Sequence, residues 1–169
     1  MIFVTVGTEQ YPFNRLMNWV ETLIVHGFIK EEVIVQYGSC TSLPSGVKVY
    51  QSLKSDRFAE LVDEARLVIS HCGEGSILLL EELSKPYILA PRSSRFREHI
   101  DDHQVELALA LAQVGATVAW SPGDLTRFLE SPQTAPLCDL STTAAAILCQ
   151  RLHARFEPLK CKDTQVCST

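Results

Sequence analysis

Six short runs of aliphatic and β-branched residues punctuate the chain: Ile2–Val6, Val33–Tyr37, Val47–Tyr50, Arg66–Ser70, Tyr87–Ala90 and Thr117–Trp120. Their apolar character is continuous rather than alternating, the pattern of strands buried on both faces. Between them, apolar residues recur at helical spacing. Phe13, Leu16, Met17, Val20, Leu23 and Ile24 form one such face after Pro12, ended by Gly27, and Phe58, Leu61, Val62 and Ala65 form another behind a cap at Ser55. Further helices are expected from the His71–Ser76 loop through Leu83, from about Asp101 to Val114, near Asp124–Glu130, and from a cap at Ser141 with Ala145, Leu148 and Leu152 on one side. Strands alternating with helices predict an α/β fold, a Rossmann-like parallel sheet with helices on both faces.

A chain of 169 residues, 46% of them hydrophobic, has the size and composition of one domain with one core. The domain is expected to span residues 1–156, with a polar, frayed tail over 157–169. A formal charge of −5 and the lack of a dense basic stripe argue against nucleic acid as a partner. The six cysteines include no C-x-x-C pair and the start carries no secretion-signal pattern, so a cytoplasmic location is expected. Leu107–Ala112, the longest strictly apolar stretch, falls well short of the roughly 17–25 residues that span a bilayer.

In a parallel sheet, ligands bind beyond the carboxyl ends of the strands, where glycine loops admit phosphate and helix N-termini offer N–H groups. Two segments have that form: Val6-Gly7-Thr8 after the first strand, and Ser70-His71-Cys72-Gly73-Glu74-Gly75-Ser76 after RLVIS. The second reads as a diphosphate cradle, with Gly73 and Gly75 for close approach, Ser76 as a hydroxyl donor and His71 as a neutral or charged donor. A tight turn around a satisfied histidine fits the loop equally well. The P-loop signature G-x-x-x-x-G-K-[ST] is absent, and Gly73-x-Gly75 lacks the third glycine and the following acid of a dinucleotide site. His99 and His103 are spaced like a metal pair, but a helix starting at Asp101 or Asp102 leaves His99 in the preceding loop, so no metal is expected.

The segments MIFVTVGTEQYPFNRL, SHCGEGSILLLEELSKP and EHIDDHQVELALAL together resemble the small glycosyltransferase family with the GT28 C-terminal fold. That family includes the cytosolic subunit of the dolichol-linked GlcNAc transferase and bacterial exopolysaccharide transferase subunits. The resemblance covers about residues 1–120, in order and with matching spacing. It implies one half of a GT-B fold: a donor-binding subunit of an inverting UDP-sugar-dependent transferase that extends a lipid-linked saccharide. A membrane-anchored partner subunit would hold the acceptor and the general base, and self-association is the alternative where the partner is missing. No cofactor is implied beyond the UDP-sugar itself. Carried onto this sequence, Gly7, Thr8, His71, Gly73, Gly75 and Ser76 would face the diphosphate, while His103 and Gln104 would reach the sugar hydroxyls. Where relatives hold the ribose with a glutamate, this chain has Leu79, and Glu82, one turn further on, is the nearest substitute on that face. That departure motivates a second reading, a non-catalytic accessory subunit that enhances or scaffolds a partner transferase. Arg92, Arg95 and Arg97 read as a basic cluster on a solvated loop.

Overall fold

The computed structural model describes residues 1–130. Five parallel strands, β1 (Ile2–Thr5), β2 (Val33–Gln36), β3 (Lys48–Tyr50), β4 (Leu67–His71) and β5 (Tyr87–Ala90), form one sheet in the order β3-β2-β1-β4-β5. The helices are α1 (Asn14–Val25), α2 (Ser55–Glu64), α3 (Glu74–Glu82), α4 (His103–Gln113) and α5 (Pro122–Glu130). The helix expected from Ser141 and the tail at 157–169 lie outside the described residues.

Side chains on successive residues of a strand point to opposite faces, and that alternation divides the core in two. Ile2, Val4 and Val6 pack with Phe13, Leu16, Met17 and Val20 of the α1 side and with Leu125 and Leu129 of α5. Phe3, Ile34 and Val68 face the other way, onto Leu61 and Val62 of α2, Leu80 of α3 and Leu107 and Leu111 of α4. Phe3 meets Phe58 edge-on, with ring centroids 5.3 Å apart. The result is a three-layer α/β/α arrangement.

Several expected details change. Thr117–Trp120 does not form a full strand, contributing a single bridge between Leu89 and Val118. Ser55 is the first helical residue of α2 rather than its cap, and no side chain caps that helix. At α5 the chemistry is local: Ser121 Oγ donates to Asp124 Oδ2 at 2.9 Å and accepts from the Asp124 N–H at 3.2 Å, a reciprocal cap ahead of a helix-starting proline.

The strand order fixes where a ligand can enter. From β1 the chain winds outward to β2 and β3, then returns to place β4 on the other side of β1. The loops after β1 and β4 therefore leave the sheet in opposite directions, opening a crevice at its carboxyl edge.

Candidate functional site

His71 closes β4 and stands in that crevice. It belongs to the strand rather than to the loop, and it is 7% exposed. Its imidazole lies between two glycines. A Cβ on Gly7 would stand 2.6 Å from Cε1 of the ring, and one on Gly73 would stand 2.4 Å from Nε2. The missing side chains at these two positions thus make room for the histidine. Gly7 also has φ of +73°, a left-handed conformation that glycine alone adopts without cost.

Burial, reinforced by the positive charge of Arg92, pushes the His71 pKa down to about 4, and the backbone of Thr5 opposes the shift without reversing it. In the unliganded chain the ring is therefore uncharged at neutral pH. Nδ1 is buried with no hydrogen-bond partner among the described residues, an unusual state for a polar atom.

The sign of a pH effect follows. The folded-state pKa is below the ordinary 6.5, so between those values the unfolded chain binds more protons, and the stability that neutral His71 contributes above pH 6.5 is lost as the pH falls toward 4. Acidification from pH 6.5 to 5 is expected to remove roughly 1–2 kcal/mol, less than the full ~1.36 kcal/mol per unit because an unfolded histidine is only half protonated at pH 6.5. Urea unfolding at both pH values measures it, and His71→Gln should abolish that share of the loss.

α3 begins directly beyond, with Gly73 in the N-cap position and no side-chain cap. The first intrahelical bond is donated by Ile77 to the Gly73 carbonyl at 3.0 Å, so the N–H groups of Glu74, Gly75 and Ser76 have no partner within the helix. Gly75 is exposed and a Cβ there would meet nothing within 4 Å. Thr8 is exposed on the facing loop, and Ser76 is half-buried in the first helical turn. Gly7, Thr8, His71, Gly73, Gly75 and Ser76 are thus gathered at one edge of the sheet.

The remaining candidates divide. His103 opens α4 and its Nε2 meets Glu74 Oε1 at 2.7 Å, joining the N-termini of α3 and α4. Gln104 is buried, and its Oε1 accepts from the Arg92 N–H at 3.2 Å. Glu82 is exposed at the far end of α3. At 1.5 Å per residue it stands roughly 9 Å along the axis from Ser76, so the fold does not bring it to the loop. Leu79 is half-buried on the same helix. His99 turns to Asp101 at 2.9 Å, and no group of three or more metal-ligating side chains is found among the described residues.

Sequence reasoning missed Arg92. Arg95 and Arg97 are exposed, as a solvated loop requires, but Arg92 is fully buried. Its guanidinium donates to the carbonyls of Tyr11 (2.6 Å), Glu98 (3.1 Å) and Val6 (2.6 Å), and it lies 5.0 Å from the centroid of Phe13. One side chain thereby ties together the segments that follow β1 and β5. Its place two residues after a fully buried strand was the available signal. Glu98 in turn accepts two bonds from Arg15, at 2.9 and 2.7 Å. Beside them Pro12, Trp19, Phe96 and Arg97 line an open cleft of about 470 Å³.

The model of the glycosyltransferase family 28 C-terminal domain matches residues 1–133. No curated protein matches the sequence. Among solved structures, the fold is similar to the glycosyltransferase SnogD from Streptomyces nogalater, with a TM-score of 0.54 and 18% identity over 91% of this chain and 43% of that one. MurG of Acinetobacter baumannii gives 0.51 and 16% over 85% and 44%. The solution structure of ALG13 gives 0.50 and 25% over 80% of this chain and 86% of that one. The chain therefore spans less than half of SnogD and MurG, but most of the ALG13 chain is covered.

Proposed function

Because this chain belongs to the glycosyltransferase family 28 C-terminal domain family, a family of GT-B transferase halves, we propose that it is the donor-binding subunit of an inverting UDP-sugar-dependent glycosyltransferase. The observation that carries the reading is the buried His71 between Gly7 and Gly73, beside the uncapped N-terminus of α3, at the point where the strand order reverses. A diphosphate there would meet the free N–H groups of the first turn, the positive end of the helix dipole and an uncharged imidazole donor. In the transfer itself, an acceptor hydroxyl attacks the anomeric carbon, the bond from that carbon to the diphosphate breaks, and UDP departs with its charge stabilised by those groups. The hydroxyl proton passes to a base that we assign to a second subunit.

That second subunit is a membrane-anchored chain that binds a lipid-linked saccharide, and exopolysaccharide assembly is the setting we propose. The described residues include no helix long and apolar enough to cross a membrane. What supports a partner is the segment after β5, where Phe96, 54% exposed, lines the Trp19–Arg97 cleft and Ile100, four residues on, is 76% exposed. Exposed apolar groups clustered beside a site commonly mark an interface. A second reading, an accessory subunit with little donor binding of its own, is favoured by Leu79 at the position where relatives carry the ribose glutamate.

The chain alone is expected to show negligible sugar transfer to a lipid-linked acceptor, and turnover is expected to appear on adding membranes that contain the partner. Radiolabelled UDP-sugar incorporation measures both. Robust turnover by the purified chain would overturn the two-subunit reading.

A further inference from the structure

Glu74, paired with His103, is the residue to which the reading above gives no role. Glu74 is the first residue of α3 and follows Gly73, the glycine packed against the His71 ring. A sugar attached to a diphosphate in the cradle would therefore start its path beside Glu74. Gln104, the other residue expected at the hydroxyls, is buried, and its Oε1 accepts from the Arg92 N–H.

Glu74 and His103 are both substantially open to solvent, with side-chain exposures of 42% and 36%. Only Glu74 Oε1 and His103 Nε2 are used in their mutual bond, and neither Oε2 of Glu74 nor Nδ1 of His103 has a hydrogen-bond partner among the described residues. The bond fixes both side chains, so the two remaining atoms are held at fixed positions at the mouth of the site. A carboxylate oxygen accepts from a hydroxyl, and an imidazole nitrogen either accepts or donates according to its tautomer. Neighbouring sugar hydroxyls match that set. A carboxylate ligand does not, because it would meet Glu74 with like charge.

We infer that Glu74, clasped to His103, is a specificity-determining residue of the donor site that selects UDP-sugars with free hydroxyls and no carboxylate. The inference rests on the donor-site reading. It also implies that Glu74 opposes bare UDP, whose terminal phosphate would lie near it without hydroxyls to offset the repulsion.

The test is calorimetric titration of the full chain and of Glu74→Gln with UDP, UDP-glucose, UDP-galactose, UDP-N-acetylglucosamine and UDP-glucuronic acid. In the wild type, the tightest neutral donor is expected to exceed UDP-glucuronic acid by about 10-fold or more, the discrimination of one bond to a charged group. In Glu74→Gln that ratio should fall toward one while UDP affinity is kept or improved, an outcome that a merely structural role for Glu74 would not give. Ratios unchanged by the substitution, an equal loss of UDP and UDP-sugar affinity, or tightest binding of UDP-glucuronic acid would each overturn the inference while leaving the donor site standing. Failure of the wild type to bind UDP or any donor would overturn the donor-site reading itself, and this inference with it.

Discussion

Arg92→Met is expected to lower the stability of the chain by about 3–5 kcal/mol, the scale of removing one partner from a buried charged network. The fully buried guanidinium donates to three carbonyls, of Val6, Tyr11 and Glu98, which belong to segments far apart in sequence. Methionine fills much of the volume but donates nothing, and each buried acceptor left unpaired costs about 1–3 kcal/mol before the loops relax. Burial also pushes the Arg92 pKa below its ordinary value, the mark of a charge held where solvent does not help it. Arg92→Lys keeps the charge but loses the planar fork, so its loss should be smaller yet still substantial. Urea unfolding of the three proteins measures the series. A loss below about 1 kcal/mol for Arg92→Met would mean that the loops after β1 and β5 hold themselves.

Gly7→Ala should be about as damaging, by about 2–5 kcal/mol, for two separable reasons. A left-handed φ costs a residue with a Cβ roughly 1–2 kcal/mol, and overpacking against the His71 ring adds about 1–3 kcal/mol. The ring has no easy retreat, because Gly73 bounds its other side. His71→Ala should relieve the packing part and leave the conformational part, so the double mutant should be more stable than the sum of the single losses predicts. Thermal unfolding of the cycle tests this, and strict additivity would show that the ring and Gly7 do not compete for space.

Much of the fold was legible because it rests on patterns that sequence carries directly. The apolar runs located the five sheet strands to within a residue at each end, and the helical periodicities located α1 and α4 to within two. Thr117–Trp120 has the composition of a strand but meets β5 at one position only, a matter of tertiary reach that composition does not encode. Around the site, the two glycine loops were visible as punctuation between strand and helix. The burial of Arg92 and Gln104 was not, since a polar residue beside a strand end or in a first helical turn looks the same whether solvent or a neighbouring backbone group satisfies it. The shared reading of Gly73 and Gly75 likewise separated only in three dimensions: Gly73 accommodates an imidazole, while Gly75 faces open space. The clasp between Glu74 and His103 joins residues 29 positions apart, with no local signal to connect them.

The difference between those glycines supplies the most direct test of the donor site. A Cβ at Gly75 would meet nothing within 4 Å, and valine is no worse than glycine in a helix, so Gly75→Val should leave the melting temperature essentially unchanged. It would nevertheless put a branched side chain at the uncapped start of α3, where a diphosphate must approach the backbone. The measurement is calorimetric UDP affinity of the full chain, wild type against Gly75→Val. Saturable binding by the wild type, weakened about 10-fold or more in the variant, a change of roughly 1.4 kcal/mol or more, is the result expected of a phosphate cradle. Absence of binding by the wild type, or equal affinity in the two proteins, would contradict the account and leave the accessory-subunit reading in its place.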